Sequence, residues 1–150
     1  MAGNHPRNTI RNDIKTALVN AAFIDPSKII TGGIYASKKD KLPNVLVYLG
    51  SETPVNLYNN QPRNRYERPV DVYVVIKTEN NTRIDGIIEA EDIARECEKA
   101  LLKPDSDMIS PLITSIDYSD YQVSDPKENS TVFATQLVFR VKYNDKFYEG

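Results

Sequence analysis

Two stretches of strict alternation constrain this chain more than anything else in it. Between Tyr66 and Thr78, Val70, Val72, Val74 and Ile76 alternate with Asp71, Tyr73, Val75 and Lys77. Between Thr131 and Tyr143, Phe133, Thr135, Leu137, Phe139, Val141 and Tyr143 alternate with Val132, Ala134, Gln136, Val138, Arg140 and Lys142. Successive side chains of a strand point to opposite faces, so the first stretch predicts a strand with one strongly apolar face. The second predicts a strand long enough to lie at a sheet centre. Pro69 has no amide donor and is expected at a strand edge, a strand start or a bulge. Pro43-Asn44-Val45-Leu46-Val47-Tyr48-Leu49 is apolar on both faces, which predicts another central strand. Leu112 to Val123 predicts a fourth, separated from the last by the turn-rich Ser124-Asp125-Pro126-Lys127-Glu128-Asn129.

Helical periodicity occupies the intervals. Ile10, Ile14, Ala17, Leu18 and Ala21 form one apolar stripe, predicting a helix over 10–22 capped by Asn8 or Thr9, with Pro26 preventing continuation. Ile84, Ile87, Ala90, Ala94, Cys97 and Leu101 predict a second helix over 84–102, ended by Lys103-Pro104. Between the first helix and Pro43, Gly32-Gly33 reads as a turn and Ile34-Tyr35 as a short strand. The order helix, strands, helix, strands predicts an α+β domain, a mainly antiparallel sheet of about four to five strands with two amphipathic helices packed on one face. All 150 residues are expected in one domain, with mobile termini at 1–8 and 144–150 and a long loop at 51–64.

Composition excludes several classes of function. Lys plus Arg number 19 against 21 Asp plus Glu, a net charge of −2, without the basic excess of a dedicated nucleic-acid binder. One cysteine, Cys97, leaves no intramolecular disulfide. It lies on the apolar stripe as a small core hydrophobe, whereas a reactive thiol needs an adjacent base or cation cluster. One histidine, His5, gives no Cys/His zinc set and little scope for His-dependent catalysis. Phosphate-loop, dinucleotide and nucleophile-elbow motifs are absent. Asp117 and Asp120, three apart, are expected on opposite faces of a regular strand, and Glu67, Asp71 and Lys77 share one polar face but span about 33 Å. No catalytic residue, metal ligand or cofactor is therefore expected. The longest apolar runs, Val45–Leu49 and Val72–Ile76, fall far short of the roughly 20 residues of a spanning helix. The first residues hold no signal-peptide core, so the expected place of work is the cytoplasm or an assembly built there.

Charge is patterned even though it nearly cancels. Arg7, Arg11 and Lys15 follow at spacing four, a basic ridge along the first helix. Asp85, Glu89, Asp92 and Glu96 recur at four, three and four on the second, an acidic ridge. The bland reading is two solvated faces. The sharper one is a pair of ridges that meet head to tail between identical subunits, a contact that closes into a ring. The 51–64 loop carries Val55, Leu57 and Tyr58 among amides and leads to Arg63 and Arg65. Such a loop either orders on a partner or folds its apolar residues onto the body.

The succession of segments resembles a known family. The 10–22 helix, the phrase 43–49, the strand Arg68-Pro69-Val70-Asp71-Val72-Tyr73-Val74-Val75-Ile76, the acidic helix, Leu112-Ile113-Thr114-Ser115-Ile116 and the closing 135–143 strand resemble the tail terminator (tail-completion) proteins of long-tailed phages, the group typified by the minor tail protein U of phage lambda. The resemblance covers roughly residues 9–143 and contains no single diagnostic motif. It implies an α+β fold and a hexameric ring at the head-proximal end of the tail tube in the virion. The ring would stop tube polymerisation and present the surface for head–tail joining. Implied partners are further copies of the chain, the major tail tube protein and the head–tail connector protein, with DNA passing through the lumen without specific binding. The resemblance implies no catalysis and no cofactor, and carries no site residues over. From the residues themselves, Arg7, Arg11, Lys15, Glu89, Asp92 and Glu96 are the expected subunit contacts. Leu57, Tyr58, Arg63 and Arg65 are the expected contacts to tube or neck. Rival readings are a head–tail connector or head-completion neck protein and, in a different class, a small metal-dependent nucleic-acid enzyme.

Overall fold

The computed structural model describes residues 5–31, 42–52, 55–56, 65–105, 108–124 and 131–146. In chain order these form α1 (Pro6–Asn20), a 3-10 turn (Pro26–Lys28), β1 (Ile29–Ile30), β2 (Asn44–Glu52), β3 (Val55–Asn56), β4 (Arg65–Glu79), α2 (Arg83–Leu101), β5 (Ile113–Ser124) and β6 (Val132–Lys146). One sheet runs β1-β2-β4-β6-β5, with the two-residue β3 also on β4. Only the β1–β2 pairing is parallel, so the fold is α+β with a mostly antiparallel sheet.

The two alternating stretches pair with each other at the centre. β4 and β6 run in unbroken register from Arg65 opposite Lys146 to Glu79 opposite Val132. Val70, Val72, Val74 and Ile76 thereby face the same way as Val141, Phe139, Leu137 and Thr135, and all eight are buried. Both helices lie on this face, α1 against β1 and β2, and α2 against β4 and β6. Ile10, Ile14 and Leu18 of α1 and Ala90, Ala94, Cys97 and Leu101 of α2 close the core. Each fully buried Val, Leu or Ile here contributes roughly 1.5–3 kcal/mol of transfer free energy. Val45 and Val47 of β2 join the same core, while Leu46, on the other face, is also buried. Pro69 sits opposite Lys142, at the point where β2 has ended its pairing at Val70 and β3 has not begun at Glu67.

Several details differ from the sequence expectation. α1 begins at Pro6, not Ile10, and its cap is His5, whose Nδ1 accepts the Arg7 amide proton at 3.1 Å. Proline at the first helical position has its φ already set and lacks an amide that would go unpaired there, which explains the earlier start. The helix stops at Asn20, and Ala22 takes a φ of 55°, so the chain leaves the helical path well before Pro26. In α2, Ile84 is 62% exposed and Gly86 takes the buried place expected for it. A Cβ on Gly86 would lie 2.3 Å from Phe133 Cδ2, so only glycine lets the helix settle this closely on β6. In β5, the register shifts between Tyr118 and Asp120, so Asp117 faces Arg140 and Asp120 faces Val138. The bulge brings these two aspartates to the same face, not to opposite ones. The expected Gly32-Gly33 turn, the Ile34-Tyr35 strand, residues 53–54 and 57–64 of the long loop, and 1–4 and 147–150 of the termini lie outside the described residues.

Candidate assembly surfaces

The basic ridge of α1 is divided by what its residues touch. Ile10, Ile14 and Leu18 point into the core, and Arg7 on the same side is half-buried, its guanidinium donating to the Gly50 carbonyl at 2.8 Å. Arg7 therefore ties α1 to the end of β2. Arg11 and Lys15 remain half-exposed, with Arg11 donating to Asn8 Oδ1 at 2.8 Å. Ala17 and Ala21 meet Ala100 of α2 around a cavity of ≈ 180 Å³. Lys15 lies about 200° around the helix from Ala17, which turns it and Arg11 away from α2, toward the β1 end of the sheet.

The acids of α2 fall on two shoulders. Asp85, Glu89, Asp92 and Glu96 occupy the shoulder nearer α1, where Asp85 accepts from the Thr82 hydroxyl and Glu96 lies 3.6 Å from Lys99 Nζ. Glu91 and Glu98 occupy the other, together with Ile84 and Arg95, at spacings of seven, four and three. Glu98 is 3.1 Å from Arg95 Nη1 and accepts the Tyr118 hydroxyl proton at 3.1 Å, and the Tyr118 ring stacks on Phe139. Burial first, then the Glu98 charge, raise the Tyr118 hydroxyl above its usual range. Burial and then Glu91 do the same for Tyr121. This shoulder thus faces β5.

An apolar trough opens between that shoulder and the strand. Tyr118, Tyr121 and Val123 are in register with Phe139, Leu137 and Thr135, on the helix-bearing face of the sheet. Yet they are 36%, 37% and 55% exposed, because α2 rests on β4 and β6. Ile84, 62% exposed, stands at the end of the helix beside the trough, while Ile88, 47% exposed, lies about 200° around α2 from the buried Gly86 and points away from the sheet. Sequence reasoning missed this surface. The available signal was Ile84 continued at spacing seven by Glu91 and Glu98, a second stripe beside the core stripe.

The opposite face of the sheet carries the buried Leu46 and Val138 among aromatic and polar side chains that are cross-linked. Tyr48 stacks on Tyr73 at 4.9 Å, the Tyr48 hydroxyl donates to Gln136 Oε1 at 3.4 Å, and Gln136 Nε2 donates to Gln122 Oε1 at 3.2 Å. Arg140 Nε lies 3.1 Å from Asp71 Oδ1. Among the described residues no three His, Cys, Asp or Glu side chains converge on a possible metal position. Cys97 is wholly buried, and its thiol is pushed up to about 12 by burial, with Glu98 and Glu96 adding to the effect. A second cavity, of ≈ 220 Å³ beside Leu101 and Thr114, is, like the first, smaller than the roughly 300–1,000 Å³ of small-molecule sites. No helix among the described residues is long and apolar enough to cross a membrane. Of the expected partner contacts, Leu57, Tyr58 and Arg63 lie outside the described residues, and Arg65 opens β4 opposite Lys146.

Neither a family model nor a curated protein sequence matches the chain. A solved structure does: a chain of the virion of a native gene transfer agent (GTA) particle, with a TM-score of 0.55 and 15% identity. The match covers 90% of this chain and 97% of that one. At this identity the likeness shows a shared fold, two helices on one face of a mostly antiparallel sheet, over nearly the whole of both chains.

Proposed function

We propose that the chain is a structural, non-enzymatic subunit of a phage-like virion, and within it a tail terminator. It would form a ring, hexameric in the family it resembles, on the head-proximal end of the tail tube. The observation that supports this most is the end-to-end fold likeness to a chain of the gene transfer agent virion. The sole histidine and cysteine agree with it, since His5 serves as a helix cap and Cys97 as core. The subunit boundary draws on the basic residues of α1, Arg7, Arg11 and Lys15, and on the acids of α2, Glu89, Asp92 and Glu96. Leu57, Tyr58, Arg63 and Arg65 are assigned to the tail tube protein or the head–tail connector.

The mechanism requires no reaction. A ring that binds the last layer of a tube but offers no copy of the tube's growing surface ends polymerisation by geometry. Head-to-tail contacts between different surfaces of one chain close such a ring when the rotation per subunit divides a full turn. DNA passes through the lumen without specific contacts, which a net charge of −2 per subunit permits.

The test is to polymerise the cognate tube protein with and without this chain and view the products by electron microscopy. Shorter tubes carrying a ring at one end are expected. Tubes of unchanged length with bare ends overturn the terminator reading. Binding to the connector with none to the tube makes the chain a neck protein instead.

A further inference from the structure

We propose that the trough between α2 and β5 seats α1 of a second copy of this chain. The proposal rests on the ring reading above and, within it, moves the α2 side of the contact from the Glu89–Asp92–Glu96 shoulder to the shoulder that faces β5. A helix is about 10 Å across and strands are spaced about 4.8 Å, so one helix covers two strands. α1 takes β1 and β2, and α2 takes β4 and β6. β5, the next strand, is covered at Ile113 and Ile116 but leaves Tyr118, Tyr121 and Val123 partly exposed on the helix-bearing face. The helix layer is one helix short, and the described residues hold no third helix to complete it. A helix laid beside α2 at the usual 8–10 Å would cover these three side chains.

Charge identifies the helix. The wall of the trough carries Glu91 and Glu98, with Arg95 beside them 3.1 Å from Glu98. α1 carries Arg7, Arg11 and Lys15 against Asp13, and Arg11 and Lys15 lie on the flank turned away from α2. The two surfaces sit at opposite ends of one sheet, so they cannot meet within a chain and meet naturally between copies, head to tail. Apolar residues in the middle with charges at the rim are the arrangement of protein interfaces generally. Addition of a strand along β5 is the less favoured way to cover it, because register shifts near Thr114 and Ser119 interrupt the regular edge.

The experiment is mass photometry of the full chain over a concentration series, with melting temperatures as a check on folding. Glu91→Arg, and separately Arg11→Glu with Lys15→Glu, are each expected to raise the concentration for half-assembly by at least about tenfold. All three substitutions in one chain restore assembly to near the wild-type concentration. Tyr121→Ser with Val123→Ser causes a similar loss that no charge swap rescues. Cysteines placed by Val123→Cys and Lys15→Cys cross-link neighbours with a bis-maleimide, the buried Cys97 staying unreacted. Wild-type rings that survive every variant overturn this seat and leave the ring reading standing. So does loss of rings through Glu89→Lys with Glu96→Lys but not through Glu91→Arg, because that places the contact on the other shoulder. Rings that persist while tube capping is lost assign the trough to the tube protein. A wild-type chain that neither assembles nor caps tubes overturns both readings.

Discussion

β6 and β5 are neighbouring strands of 15 and 12 residues that pair with each other, and both carry apolar side chains toward the helices. On β6, Phe133, Thr135, Leu137, Phe139, Val141 and Tyr143 are all buried. On β5, Tyr118, Tyr121 and Val123 are each at least 36% exposed. The difference lies less in the side chains than in what lies above them. α2 rests on β6 because its small residues, Gly86, Ala90 and Ala94, allow a close approach, and it reaches β5 through the Glu98–Tyr118 hydrogen bond without covering Tyr121 and Val123. Strand apolarity is therefore satisfied on one side of α2 and left open on the other.

The comparison is tested most severely at Leu137, which is 0% exposed beneath the helices. Leu137→Ala leaves a cavity that the sheet cannot close and is expected to cost about 2–5 kcal/mol in urea unfolding. Gly86→Ala comes next, as overpacking of the same seam. Alanine gains roughly 0.5–1 kcal/mol of helix propensity over glycine, but the new Cβ would meet the Phe133 ring at 2.3, 2.5 and 3.0 Å. A net loss of about 1–3 kcal/mol is expected, because a ring packed between α2 and β6 cannot swing aside. Gly86→Ala paired with Phe133→Leu should recover part of the loss, and no recovery would place the strain elsewhere.

Cys97 gives a smaller effect on the same seam, with a defined sign. Its thiol ionises near 9.0 in the ordinary state and at about 12 in the fold. Above pH 9.0 the unfolded chain loses this proton while the folded chain keeps it, so stability falls as pH rises toward 12. The contribution approaches about 1.4 kcal/mol per pH unit. Urea melts of wild type and Cys97→Ala at pH 8 and pH 10 should diverge in slope, with the variant the less sensitive. Equal slopes would mean that the thiol is reached by solvent.

These differences explain what could be read from sequence. β4 and β6 were legible because both keep a period of two across their length, and unbroken pairing preserves it. β5 was legible as a strand, but its faces were not. An extra residue near Ser119 shifts the alternation, which is why Asp117 and Asp120 share a face. In α2 the stripe was legible except at its start, where Ile84 is exposed and Ile87 only half-buried, and close packing favoured Gly86, a choice set by Phe133 some fifty residues away. β1 is two residues long and exists through its parallel pairing to Val45 and Leu46, which local pattern does not register. The charged ridges were legible as spacings, but their directions were not, because Gly50 captures Arg7 and α1 fixes which way Lys15 turns. The trough depends on where α2 lies across the sheet, and no stretch of sequence records that.

The smallest effects are expected on β5. Tyr118→Phe removes a hydroxyl that donates to Glu98 at a 36% exposed site, where water replaces the lost partner, so the cost falls at or below about 0.5 kcal/mol. Val123→Ser, at 55% exposure, should change monomer stability by less than about 0.5 kcal/mol. The informative quantity is how that value changes with protein concentration. If β5 is covered only when copies assemble, the Val123→Ser penalty grows as the concentration rises through the assembly range, while the Leu137→Ala penalty stays constant. A Val123→Ser penalty that is large already in dilute monomer would show β5 covered within the chain itself, and the contrast between the two strands would disappear.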